Sequence, residues 1–144
     1  MMAGLSFINY VVDEMYYKTN SSFELPEDES IEINEEIKAE IVIRSKSDAV
    51  VAMQCTLEEN EKTPFSFDVK IVGYFEYNSE EAEEIKFQDF LKANAVAILF
   101  PYLREVISNL TGKSNVYPNY NLPIRNISKE MQDNDLIRVF NLEE

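Results

Sequence analysis

Carboxylates are the side chains in this sequence that lie close enough together to suggest chemistry. Glu80 precedes Glu84, and Glu58 precedes Glu61. Two carboxylates can divide general-acid and general-base work only when one of them is removed from water, because desolvation raises its pKa. Both pairs lie in strongly polar runs. We therefore interpret them as solvated surface and not as a catalytic pair.

Other reactive groups are scarce. The sequence contains no histidine, which excludes imidazole catalysis, Ser-His and Cys-His nucleophile pairs, and histidine-ligated metals. The three glycines are scattered, so no glycine-rich phosphate loop is present. Asp133, Asn134 and Asp135 supply oxygens but lack the central glycine and terminal glutamate of a calcium loop. We expect no cofactor, no metal and no enzymatic activity.

Composition indicates one folded acidic domain. The chain has 144 residues, with 27 acidic and 13 basic side chains and a formal charge of −14. A single domain spanning residues 1–144 would bury about two thirds of its unfolded surface, and 45% hydrophobic residues are too many for a disordered acidic tail. Strong negative charge argues against nucleic-acid binding and suits a basic partner.

The same sequence bounds the compartment. No basic residue precedes Lys18, and the N-terminus lacks the long apolar core of a secretory signal. The longest apolar run, from Ala95 to Phe100, is far shorter than the ~20 residues of a membrane span. We expect a cytoplasmic protein without membrane insertion. Cys55, between Met53 and Leu57 on an apolar strand face, is expected to be a buried structural thiol.

The first half of the chain alternates apolar and polar residues with period two, as strands with one buried face do. Four strands are predicted, namely Phe7 to Lys18, Ile31 to Arg44, Val51 to Leu57, and Phe65 to Tyr77. The second of these either runs through or breaks near Asn34 to Glu36. The short polar segment 58–64 predicts an antiparallel hairpin between the last two.

After Ser79 the apolar period changes to three or four residues, which is typical of a helix. Ser79 and the acidic residues 80–84 predict its N-terminus, and Gly112 predicts its end. Pro101 is expected to kink or split it. The predicted buried stripe consists of Phe87, Leu91, Ala95, Ile98, Tyr102, Val106 and Leu110.

A loop from Asn115 to Pro123 separates this helix from a shorter one that starts near Ser128. Beyond it, Leu136 to Phe140 either remains helical or is extended. Strands followed by helices indicate an α+β fold, here a four-stranded antiparallel sheet followed by a long proline-kinked helix and a shorter C-terminal helix. The helices cover one sheet face, and the other is solvated or covered by a second subunit.

Three motifs resemble the SecB family of bacterial protein-export chaperones. The segment Ile98 to Glu105, ILFPYLRE, is similar to the family signature ILFPYxRE. Tyr117-Pro118-x-x-Asn121-Leu122 resembles the family loop F-P-x-L-N-L, and Phe23-Glu24-x-Pro26 resembles the family motif FEAP. The resemblance covers most of residues 10–131 and leaves 132–144 without a match.

This resemblance implies an ATP-independent holdase that binds unfolded preproteins and delivers them to the motor SecA. It also implies a homotetramer, a dimer of dimers. The family's docking positions for SecA correspond here to Glu24 and Asp68. The sequence departs from the family at Asn20, where an aspartate is usual, and at Ser66, near Asp68, where an apolar residue is usual.

Client-binding candidates are the apolar residues Leu25, Ile33, Tyr117, Tyr120 and Met131, each of which could equally belong to the core or to a subunit interface. Two alternative functions remain. One is a SecB-like chaperone dedicated to the antitoxin of a toxin–antitoxin system. The other is an enzyme or small-ligand protein with a pocket between sheet and helix.

Overall fold

The computed structural model describes residues 4–24 and 31–142. Within these ranges the strands are β1 (Leu5–Thr19), β2 (Glu36–Ile43), β3 (Asp48–Leu57), β4 (Phe65–Tyr77) and β5 (Ile137–Asn141). The helices are α1 (Phe87–Phe90), α2 (Val96–Gly112) and α3 (Ile127–Asp133), and a π-helical turn (Leu91–Ala95) joins α1 to α2. The predicted α+β fold with one long and one shorter helix is confirmed.

The sheet has the strand order β1-β4-β3-β2-β5. Its first four strands are antiparallel, whereas β5 runs parallel to β2, with Ala39 opposite Ile137. The prediction of four antiparallel strands is therefore wrong in strand number and in pairing. Asp135 takes a positive φ of 54° just after α3, and the N–H of Ala39 donates to the carbonyl of Leu136 at 3.0 Å. The residues after α3 thus add a strand to the open edge of β2.

One face of the sheet, here the inner face, is buried against α2. The strands β2, β3 and β4 alternate buried and less buried residues, as their period of two predicts. Gly73 of β4 lies directly under Leu99 of α2, and a Cβ on this glycine would lie 2.6 Å from a Leu99 methyl group. Helix and sheet are therefore in van der Waals contact at this point.

The helical segment begins at α1 and not at Ser79, so the predicted N-terminal cap is wrong. Residues 79–84 form turns, in which Glu83 and Glu84 have positive φ values of 50° and 74°. Ala82 is buried, and its Cα lies 2.7 Å from where a Cβ on Gly4 would be. This contact with the start of β1 fixes the turn and overrides the local helix signal.

The π-helical turn displaces the buried stripe of the long helix. Because a π turn contains one more residue than an α turn, the face that meets the sheet shifts by one position after it. Leu99 and Leu103 are fully buried, whereas the predicted Tyr102 is exposed and packs against rings of β1. The helix is not split at Pro101, since α2 continues through it.

Strand β1 differs from its neighbours because much of its apolar surface is open. Its register against β4 shifts twice, between Phe7 and Asn9 and between Val12 and Glu14. Such bulges change which face the following side chains share. The exposed apolar residues of this strand, here called the β1 surface, are Ile8, Val11, Val12, Met15 and Tyr16.

Candidate functional site

Five aromatic side chains meet at one end of the inner face, and we call them the aromatic cluster. Phe65 and Phe67 come from the start of β4, Tyr117 and Tyr120 from the loop after α2, and Phe23 from the segment after β1. The ring centroids of Phe65 lie 6.4 Å from Tyr117 and 6.3 Å from Tyr120, and Phe23 lies 6.1 Å from Tyr117. The two predicted tyrosines are therefore brought together.

The loop that carries these tyrosines is fixed to α2. The N–H of Tyr120 donates to the hydroxyl of Thr111 at 2.7 Å, and the Nε of Arg104 donates to the carbonyl of Leu122 at 2.8 Å. Thr111 and Leu122 are both fully buried. Arg104 belongs to the helix motif that resembles SecB, so this motif positions the loop.

A buried acidic residue joins the same loop to the segment before β2. The carboxylate of Glu35 accepts a hydrogen bond from the hydroxyl of Tyr120 at 2.8 Å and one from Nη1 of Arg125 at 3.3 Å. Arg125 also lies over the ring of Phe100, 5.7 Å from its centroid. Its Nε is 3.2 Å from a carboxylate oxygen of Glu130 but is not aligned for a hydrogen bond. We call Glu35, Tyr120 and Arg125 the Glu35 clasp.

The electrostatics of the Glu35 clasp are those of a desolvated ion pair. Only 7% of the Glu35 side chain is exposed, and a carboxylate buried to this extent needs donors to offset its lost hydration. Burial, and then the hydrogen bond to Glu35, raise the pKa of the Tyr120 hydroxyl. Tyr120 therefore keeps its proton and remains a donor at physiological pH.

Sequence reasoning missed Glu35 and Arg125. A signal for Glu35 was present, because it shares the odd-numbered parity of Ile33 and Ile37, which point toward the core. A glutamate at such a position requires a buried partner. No comparable pattern marks Arg125, since it lies in an irregular loop.

The other client-binding candidates occupy different environments. Ile33 is partly buried and packs against the core. Met131, on α3, is fully buried, so it lies in the core and offers no surface to a client in this conformation. Leu25 lies outside the described residues. As client contacts, all three stay predictions.

The loop also carries two exposed apolar side chains that were not predicted. Ile124 is 85% exposed and Val116 is 62% exposed. They lie on either side of Tyr117 and Tyr120 in the sequence. The loop after α2 therefore carries two exposed apolar side chains in addition to two rings of the aromatic cluster.

Of the two predicted docking residues, Glu24 lines a surface pocket and Asp68 is hydrogen-bonded to another residue of its lining. Glu24 lines a pocket of about 710 Å³ that also contains Thr56, and the hydroxyl of Thr56 donates to Asp68 at 3.2 Å. Asp68 accepts a second hydrogen bond, at 2.7 Å, from the amide of Gln54. The carboxylates that line the pocket are Glu24, Glu32, Glu36, Glu58 and Glu61. This acidic pocket is an electrostatic match for a basic partner.

The two positions that depart from the family have structural roles. The side-chain amide of Asn20 donates to the carbonyl of Thr63 at 2.9 Å and to that of Asn60 at 3.3 Å. An aspartate could not make these bonds, because an ionised carboxylate only accepts. Ser66 is buried and is not a surface position. Asn20 thus ties the end of β1 to the β3–β4 turn.

Other kinds of site have little support in the described ranges. There, no three Asp, Glu or Cys residues are grouped so that they could hold a metal ion, and no helix is long and apolar enough to span a membrane. The acidic pocket has no lining residue from α2, so it is not the predicted pocket between sheet and helix. Cys55 is confirmed as a buried thiol, and burial raises its pKa.

A sheet covered on one face by a long helix, with an anchored apolar loop after that helix, defines the fold of SecB-like chaperones. The chain belongs to the SecB family. The family described as preprotein translocase subunit SecB matches residues 8–128.

Similar proteins agree with this assignment. An uncharacterised protein of Methanocaldococcus jannaschii is 32% identical over 97% of this chain and 90% of its own. One similar solved structure is that of a Mycobacterium tuberculosis SecB-like chaperone in complex with a ChAD peptide from the HigA1 antitoxin. It superposes with a TM-score of 0.62 at 18% identity and covers 85% of this chain and 91% of the other. A Streptococcus agalactiae protein of unknown function gives a TM-score of 0.52 at 16% identity, over 86% of this chain and all of the other. At these identities the two structures show the fold alone.

Proposed function

We propose that this protein is a cytoplasmic, ATP-independent holdase that binds unfolded preproteins and keeps them competent for export. The observation that carries the proposal is the apolar loop after α2, which brings Tyr117 and Tyr120 into the aromatic cluster and carries the exposed side chains of Val116 and Ile124. It lies on a fold whose family consists of chaperones. The client class is therefore an extended, unfolded segment rich in apolar side chains, and the activity is binding and not catalysis.

The physical mechanism is reversible burial of apolar surface. Each Å² removed from water contributes about 25 cal/mol before ordering costs are deducted. A single exposed side chain such as Ile124 therefore binds weakly. Several such regions on one oligomer raise the effective concentration of a long client, which favours unfolded chains over folded proteins.

Aggregation suppression without ATP tests this function. A chemically unfolded client is diluted into buffer with an excess of the protein, and light scattering is recorded. We expect scattering to fall with wild type and to recover substantially with Ile124→Asp. The matched control is Leu142→Asp, because Leu142 is also exposed, at 66%, but lies after β5. Unchanged scattering with wild type at excess protein would contradict the proposal.

We further propose that the acidic pocket docks SecA, with Glu24 and Asp68 as contacts. Support comes from the five glutamates that line this pocket, Glu24 among them, and from Thr56 of the same lining, which donates to Asp68 at 3.2 Å. Glu24 is exposed, whereas Asp68 is half-buried and already accepts two hydrogen bonds. Binding of SecA to wild type and to a Glu24→Lys, Asp68→Lys double variant should differ most at low salt. Absence of wild-type binding at low salt would remove SecA as partner.

The assembly we propose is a homotetramer, a dimer of dimers. Its support is the β1 surface, since an edge strand with five exposed apolar side chains is a template for pairing with another chain. In such an assembly the β1 surface is buried, whereas Val116 and Ile124 remain exposed to a client.

A second candidate client is an antitoxin. It is favoured by the Mycobacterium tuberculosis SecB-like chaperone, whose structure contains an antitoxin peptide. An adjacent toxin–antitoxin gene pair would support this role. Co-expression should then increase the soluble yield of that antitoxin and not that of an unrelated preprotein, whereas the export role predicts the reverse.

A further inference from the structure

The aromatic cluster is closed in this structure. Phe65 and Phe67 are buried, and the ring centroids of Tyr117 and Tyr120 lie 6.3 to 6.4 Å from Phe65. At these separations the rings are in contact with one another. A client side chain must therefore bind at the outer edge of the cluster, where a neighbouring segment contacts the hydroxyl of Tyr120.

Two segments meet at the hydroxyl of Tyr120, and they are held differently. The loop that carries Tyr120 is fixed to α2 through Thr111 and Arg104. Segment 31–35 contributes no ring to the cluster and contacts it through Glu35 and Tyr120. This segment lies outside the sheet, because pairing between β2 and β3 begins at Glu36. Segment 31–35 is therefore the one that can move away from Tyr120 without breaking sheet pairing.

The Glu35 clasp is the polar connection between these two segments. Glu35 is the last residue before β2, and both of its partners, Tyr120 and Arg125, lie in the loop after α2. Only 7% of the Glu35 side chain is exposed, so its carboxylate is largely removed from water. Its bonds to Tyr120 and Arg125 must break before segment 31–35 can separate from the loop.

We propose that Glu35 is a positioning residue that sets client affinity, because its bonds to Tyr120 and Arg125 hold segment 31–35 against Tyr120, at the edge of the aromatic cluster, until a client binds. This inference rests on the proposed holdase function. The apparent dissociation constant of a client equals its intrinsic value divided by the fraction of open molecules. Weakening the clasp raises that fraction and therefore tightens binding, whereas a merely structural bond would have no such effect.

The test compares two tyrosines, one inside the Glu35 clasp and one outside the aromatic cluster. Tyr120→Phe removes the hydroxyl that donates to Glu35 and keeps the ring. Tyr102→Phe is the matched control, because Tyr102 lies on α2 against the rings of β1 and its hydroxyl has no hydrogen-bond partner among residues 4–24 and 31–142. The probe is reduced, carboxymethylated α-lactalbumin, which is unfolded and acidic, so attraction to the negative charge of this protein does not contribute.

For an open fraction of about one tenth, Tyr120→Phe is expected to tighten probe binding by up to about tenfold, and Tyr102→Phe to change it less than twofold. Glu35→Gln should tighten binding in the same direction, because the ion pair with Arg125 is lost. Amide hydrogen exchange at residues 31–35 should be faster in Tyr120→Phe than in Tyr102→Phe, while the amides of β3 keep their protection.

Two results would overturn the inference. One is probe binding by Tyr120→Phe within twofold of wild type, or weaker, with wild type binding normally. The other is unchanged exchange at residues 31–35. Failure of wild type and all variants to bind the probe would instead overturn the holdase function itself, and the exchange measurement reports on the Glu35 clasp without any client.

Discussion

The central strands and β1 belong to one sheet but have opposite surfaces. Val51 and Met53 of β3 are fully buried beneath α2, whereas Met15 of β1 is 59% exposed. Met15 pairs with Val69, a fully buried residue of β4. The boundary between buried and exposed residues therefore lies between β4 and β1 at this point. The difference teaches that one chain completes its core over β2, β3 and β4 and leaves the apolar residues of β1 exposed; these are the residues that the proposed homotetramer would bury.

The largest expected difference between the core and β1 is in the rate at which a cysteine reacts with a thiol reagent. Cys55 of β3 lies in the buried core beneath α2, and burial raises its pKa. Its thiol therefore stays protonated and inaccessible at pH 8. The variant Met15→Cys provides a thiol at an exposed position of β1 for comparison. In dilute protein we expect Cys55 to react with a thiol reagent at least about a thousandfold more slowly, because its exposure requires unfolding.

Native-state labelling followed by mass spectrometry of peptides measures both rates in one molecule. Equal rates at the two positions would show that the core around Cys55 opens locally and would remove the contrast between the two regions.

The next largest effect is the loss of stability caused by a cavity in the core beneath α2. Leu99→Ala removes the side chain that lies on Gly73, and its fully buried position leaves a hole that the glycine cannot fill. We expect the free energy of unfolding to fall by about 3 kcal/mol. Urea unfolding followed by circular dichroism measures it.

The control for this cavity is Val12→Ala in β1, which also removes aliphatic carbon but at an exposed position. Measured on the monomer, it should cost less than about 0.5 kcal/mol. A cost as large as that of Leu99→Ala would mean that β1 is already part of the core.

A charge on the β1 surface has the smallest of the three effects. Met15→Asp should leave the fold intact and weaken self-association about thirtyfold, which corresponds to about 2 kcal/mol for burying an unpaired carboxylate. Sedimentation equilibrium measures the association constant. Val116→Asp adds the same charge at a similar exposure outside β1, and self-association should be unaffected by it.

Much of the fold could be predicted because its signals are local. The alternation from Phe65 to Tyr77 predicts β4 with its observed bounds. The helix start could not be predicted, because the contact between Gly4 and Ala82 decides it, and these residues are far apart in the sequence. The extra residue of the π turn likewise has no marker in the apolar spacing, so the predicted stripe was displaced by one position.

The candidate site was predictable in part for the same reason. Tyr117 and Tyr120 stand in a motif, and aromatic residues in a loop indicate a contact surface. Their meeting with Phe65, and the clasp through Glu35, depend on how the loop folds back on the sheet. These contacts link residues up to 90 positions apart, which no local pattern encodes.

The parallel pairing of β5 also has a consequence for the order of assembly during synthesis. Strands β1 to β4 can pair once Tyr77 has left the ribosome, but the outer edge of β2 stays bare until residues 137–141 follow. Through the synthesis of all three helices the nascent chain therefore displays an unpaired edge and an uncovered apolar face. During that interval this protein has the same surface properties as the unfolded chains that we propose it binds.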